Sequence, residues 1–71
     1  MSEKIAFIRL SRVLELTGLS RSSVYSRIQA ASAYFDPSFP KPVKLSANGR
    51  SVAWYLAEIE AWIESRRAFR A

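Results

Sequence analysis

RLSRVLELTGLSRSSVYSRI, residues 9–28, is the stretch from which the rest of the fold follows. Leu10, Val13 and Leu14 fall at helical spacing and give a first helix one apolar face, with Ser11 placed to cap its opening amides. Gly18 then provides the freedom of a tight turn, because a residue without a Cβ enters the left-handed region at little steric cost. Leu19 anchors that turn, and Ser20 caps a second helix whose inner face is Val24 and Ile28. The opposite face carries Ser22, Tyr25, Ser26 and Gln29, with Arg21 and Arg27 towards its edges. These are hydrogen-bonding side chains, whereas a helix meant for a protein partner more often exposes a stripe of leucines or aromatics. Two helices joined by a glycine turn, the second polar outward, predict a helix-turn-helix over 11–31 that can enter a DNA major groove.

Working outward from it, QAASAYFDPSF (residues 29–39) allows helix as far as Ala33. Asp36-Pro37 and Phe39-Pro40 then interrupt it, since proline has no amide donor and restricts the residue before it. A linker over 32–41 follows, with Tyr34, Phe35 and Phe39 packed over the edge of the core; a dimer surface is the sharper alternative for these aromatics. PVKLSANGRSVAW (residues 42–54) reads as a β-hairpin. Val43 and Leu45 alternate with Lys44, Val52 and Trp54 alternate with Ser51 and Ala53, and Asn48-Gly49 marks the turn. A hairpin after a helix-turn-helix is a wing, and Lys44, Asn48 and Arg50 give it groups that reach phosphates or a minor groove.

Residues 55–70 predict the last helix. Leu56, Ile59 and Ile63 make its inward stripe, flanked by Tyr55 and Trp62. Glu58 and Glu60 lie early while Arg66, Arg67 and Arg70 lie late, an order that suits the helix dipole and accounts for those arginines as a solvated helix end. Trp54 and Trp62 sit in apolar patterns and are assigned to the core. At the other end, Ile5 to Leu10 is a short apolar run, either a small strand or an extended arm, behind a polar lead-in at 1–4 expected to fray.

Composition narrows the function classes. Seventy-one residues make one small domain, and with no cysteine or histidine it has neither disulfides nor thiolate or imidazole metal sites to staple it. Apolar packing must hold it, and 49% hydrophobic residues supply the material. Eleven Lys and Arg against six Asp and Glu give a net charge of +5, and eight of those cations are arginine, the side chain suited to bidentate contacts with phosphate and guanine. A polyanionic partner is expected. The carboxylates Glu15, Asp36, Glu58, Glu60 and Glu64 form no evident acid-base pair or metal-ligand set, so no enzyme, cofactor, metal or small-molecule ligand is expected. No apolar run is long enough to span a membrane and no signal-peptide pattern opens the chain, which predicts a cytoplasmic protein.

The residues also resemble a known family. RLSRVLELTGLSRSSVYSRI, then FPKPVKL, RSVAW and EIEAWI resemble the AlpA family of phage and prophage regulators, from about Ile8 to Arg66. The resemblance implies a mostly α fold with a small β-hairpin wing, a winged helix-turn-helix related to excisionases and MerR-type domains. It implies sequence-specific binding of double-stranded DNA in the regulation of a prophage or genomic island, with an architectural excision factor as the alternative. The residues themselves leave a lesser alternative of a different class, a protein-interaction module that docks through Tyr34, Phe35, Phe39 and the last helix. Ser20, Arg21, Ser22, Ser23, Tyr25 and Arg27 fall on the recognition-helix block, and Lys44 and Arg50 on the wing. Ser26 joins the base-reading candidates from its place on the polar face. A helix this short reads few base pairs, so self-association or cooperative binding on repeated half-sites is expected. One departure stands out: the family reaches FPKP through a short glycine-containing loop, whereas AASAYFDPS lengthens the link here.

Overall fold

The computed structural model describes residues 5–70; the polar lead-in at 1–4 lies outside the described residues. The elements run β1 (Phe7–Ile8), α1 (Leu10–Thr17), α2 (Arg21–Ile28), β2 (Val43–Lys44), β3 (Val52–Tyr55) and α3 (Leu56–Ser65), closed by a 3-10 turn at Arg66–Phe69.

Pairing decides the apolar run before α1. β1 lies antiparallel to β3, with Phe7 opposite Tyr55 and Ile8 opposite Trp54, so residues 7–8 are a strand. Because β1 ends at Ile8, α1 starts at once: Arg9 is its N-cap in extended backbone, no side chain caps it, and Ser11 lies inside the first turn. The Arg9 carbonyl takes the amides of Arg12 and Val13 at 3.0 and 3.1 Å. At the other end Gly18 adopts φ 75°, and its amide closes on the Leu14 carbonyl at 2.8 Å. Thr17 tightens this turn from the side. Its hydroxyl donates to the Val13 carbonyl at 2.8 Å and accepts from the Leu19 amide at 3.2 Å. Ser20 then caps α2 as its residue type requires, accepting from the Ser23 amide at 3.1 Å.

α2 stops at Ile28 rather than running on through the alanines. The Asp36 amide donates to the Arg27 carbonyl at 2.9 Å, so the returning linker occupies a carbonyl of the last helical turn. The chain from Gln29 to Phe35 instead folds into turns, with Ser32 amide to Gln29 carbonyl at 3.0 Å and Phe35 amide to Ser32 carbonyl at 3.2 Å.

The three strands have the order β1-β3-β2. β2 meets β3 with Val43 opposite Ala53 and Lys44 opposite Val52. β3 is central, and Ala53 and Trp54 are both fully buried although they point to opposite faces, so Ala53 is not the outward residue that alternation suggested. The ladder stops at Lys44. Leu45 is therefore exposed, tied only by its amide to the Ser51 carbonyl at 3.0 Å. The loop beyond turns at Ser46–Gly49, where a Cβ on Gly49 would collide with the Ser46 hydroxyl.

The core gathers Val13, Val24, Phe39, Trp54, Ile59 and Trp62, with Ile8, Leu10, Leu14, Leu16, Leu19, Ile28 and Ile63 packed against it. In α3 the buried residues are Ile59 and Trp62, so Trp62 is at the centre of the inward face rather than its flank. Tyr55 ends β3 and is exposed, its ring 5.1 Å from that of Phe7. Three short helices and a small antiparallel sheet make an arrangement compatible with a small winged helix-turn-helix domain. No described helix is long and apolar enough to cross a membrane.

Candidate nucleic-acid interface

The long linker is pinned at two points, and that fixes where α2 and α3 stand. Asp36 Oδ1 accepts from the Ser38 amide at 2.9 Å and the Ser38 hydroxyl at 2.6 Å, while Oδ2 accepts from the Trp62 indole at 3.3 Å. The Arg66 guanidinium stands 3.9 Å from the same carboxylate. The Ser38 hydroxyl, helped by the Ser38 amide, the Trp62 indole and the Arg66 charge, holds the Asp36 carboxyl below its ordinary value against the opposing effect of burial. Pro40 supplies the second point, its carbonyl accepting from the Trp54 indole at 3.1 Å. Between the two, Phe39 enters the core and meets Trp62 edge-on, ring centroids 4.9 Å apart.

With the linker held, α2 keeps its polar face outward. Arg21, Ser22 and Tyr25 are exposed, and Ser23, Ser26 and Arg27 are half-buried along the flank. Arg21 has no ion pair among the described residues, where the bridges are Arg12–Glu15, Arg66–Asp36 and Arg67–Glu64. The low hydrophobicity of RSSVYSRI follows from this placement: Val24 is its one buried residue, with Ile28 packed beside the core. Ser20 spends its hydroxyl on the cap, so the Ser23 amide is already satisfied and the capping oxygen is an acceptor in use. Arg27 differs from Arg21. Its guanidinium carbon lies 5.9 Å from the Trp62 ring centroid and its Nε is buried.

Lys44 and Arg50 are exposed on the β2–β3 hairpin, and neither forms an ion pair among the described residues. The C-terminal arginines behave otherwise. Arg66 lies 4.7 Å from the ring centroids of both Trp62 and Phe69, and Arg67 pairs with Glu64 at 2.9 Å. Asp36, one of the carboxylates weighed for chemistry, is thus committed to holding the linker.

Sequence reasoning missed Tyr34. Assigned to the edge of the core with Phe35 and Phe39, it is instead 73% exposed and lines a hollow with Ser22, Ser23, Ser26 and Arg27. The turn itself is local, the Ser32 hydroxyl two residues earlier accepting the Tyr34 amide at 3.0 Å, but the direction in which the ring faces depends on the linker's return to α2 at the Arg27 carbonyl.

The family model described as Prophage CP4-57 regulatory protein (AlpA) matches residues 6–67, and the chain belongs to the AlpA family. It is 34% identical over 62 residues to the DNA-binding transcriptional activator AlpA of Escherichia coli (strain K12), a match covering 87% of this chain and 86% of that one. It is also 39% identical over 64 residues to the uncharacterized protein ORF88 of Enterobacteria phage P4, covering 90% of this chain and 64% of that protein. No solved structure gives a significant match.

Proposed function

We propose that the chain is a one-domain, non-enzymatic regulator that binds double-stranded DNA sequence-specifically and controls genes of a prophage or genomic island in the cytoplasm. In this reading α1 and α2 are a helix-turn-helix, α2 is the recognition helix, and the β2–β3 hairpin is the wing. The observation that carries it is the outward face of α2, where an unpaired guanidinium, hydroxyls and a phenol are left exposed on a helix whose other side is locked into the core. The name of the Escherichia coli relative, a DNA-binding transcriptional activator, supports the same partner.

Roles follow from chemistry. Arg21, Ser22, Tyr25 and Ser26 read base edges, with the Arg21 fork matched to the two acceptors of guanine in the major groove. Ser20 and Ser23 meet phosphate at the start of α2, and Arg27 meets phosphate on its flank. Lys44 and Arg50 bring the wing to the adjacent backbone or minor groove. An eight-residue helix covers few base pairs, so two or more copies bind repeated half-sites cooperatively.

Selection from sheared genomic DNA at near-physiological salt tests this. The expected result is enrichment of a repeated short motif beside an integrase promoter or a prophage edge. Recovery of fragments in the proportions of the input would overturn sequence-specific binding. A bend at the enriched motif with no effect on a promoter reporter would turn the reading to an excision factor.

A further inference from the structure

Resting on the DNA-binding reading, we propose that Tyr34 and Arg27, with Ser23, form a seat for one phosphate of the DNA backbone, so that the linker after α2 is itself part of the interface. Together with Ser22 and Ser26 they line one hollow of about 360 Å³ at the flank of α2. Each brings a hydrogen-bond donor, one is a permanent cation, and none is a carboxylate; that is a set for an oxyanion and against a cation or an apolar ligand. Ser22 and Ser26, two of the base-reading residues, are one helical turn apart on the polar face and also line the hollow, which puts the seat directly beside them.

Two observations show that the hollow is built rather than incidental. The linker holds Tyr34 in place through the Ser32 hydroxyl at 3.0 Å and returns to α2 through the Asp36 amide on the Arg27 carbonyl at 2.9 Å. The core makes no use of the ring, which stays 73% exposed. Arg27, steadied at 5.9 Å from the Trp62 centroid, keeps a buried Nε with no hydrogen-bond partner among the described residues. That Nε is closed off from solvent, so a phosphate in the hollow would meet the guanidinium through its terminal amino groups, in a charge-assisted contact. The contact carries no sequence information; it sets the angle at which α2 enters the groove.

The test uses the full chain and a short duplex bearing the motif enriched by selection, with single backbone positions replaced by uncharged methylphosphonate. Wild-type protein is expected to lose about three- to tenfold in affinity at one position flanking the half-site. Tyr34→Phe is expected to lose a similar factor on the unmodified duplex, to lose it equally on a random duplex, and to become insensitive to methylphosphonate at that position. Its melting temperature stays at the wild-type value, since the ring is exposed. Wild-type affinity in both Tyr34→Phe and Tyr34→Ala, or an unchanged methylphosphonate penalty in Tyr34→Phe, would overturn the seat while leaving specific DNA binding standing. A wild-type protein that does not prefer the selected duplex over a random one would overturn the DNA-binding reading itself.

Discussion

Arg21 and Arg66 are the same residue in opposite surroundings, and the two regions around them divide the molecule. Around Arg66 the polar groups have partners: the guanidinium lies 4.7 Å from the ring centroids of both Trp62 and Phe69, near Asp36, whose oxygens accept from Ser38 and Trp62. Around Arg21 the side chains are exposed, and the arginine has no ion pair among the described residues. Charge count alone treats both as surface cations. What separates them is the company each keeps: aromatic faces and a carboxylate make a clamp, while exposed polar side chains on a helix make the surface proposed to read DNA. Changes in the clamp should therefore act on stability, and changes in the reading face on binding.

The strongest way to break that division is Trp62→Ala. It removes an edge-on ring contact with Phe39, an indole bond to Asp36 and the platform beneath Arg66. Loss of about 3–5 kcal/mol is expected in chemical denaturation, a large share of what a domain of this size has. Wild-type stability would remove the clamp from the account.

Acid probes the same region more gently. The Asp36 carboxyl is held below its ordinary 3.8 in the fold, so its contribution is complete above that value and is lost as pH falls through the folded one. Melting temperature should fall as pH is lowered below about 4. Asp36→Asn should flatten part of that slope, and an unchanged slope would mean that the carboxylate is not what fastens the linker.

Smallest is Arg50→Ala, on the hairpin and away from the clamp. Melting should be unchanged, since Arg50 is exposed. DNA affinity should drop modestly on all sequences, with the salt slope shallower by about one phosphate. An unchanged slope would detach the wing from the DNA.

How much of this was legible depended on how local each feature is. The Gly18 turn and the Ser20 cap are written in adjacent residues and appear where the sequence places them. Ser11 misled because the start of α1 is set by β1, whose pairing with β3 joins residues far apart in the chain. The Ala30–Ala33 run promised more helix, but the competing bond from Asp36 lies eight residues further on than the last helical residue. Ala53 was misplaced because central position in a sheet, not alternation, decides burial on both faces. Of the candidate site, the residue types on α2 were legible from period alone. Tyr34 was not, since only the pinned linker shows which way an aromatic between two helices faces.

The central claim is that α2 reads bases through Arg21. Its most direct test is to measure affinities of wild-type and Arg21→Ala protein across a set of duplexes in which each base pair of the selected motif is changed in turn. The account predicts that the variant melts like wild type, loses about 1–3 kcal/mol on the preferred duplex and stops discriminating at one position while keeping the rest. An equal loss on every duplex, with all discrimination retained, would make Arg21 a backbone contact and contradict the reading surface.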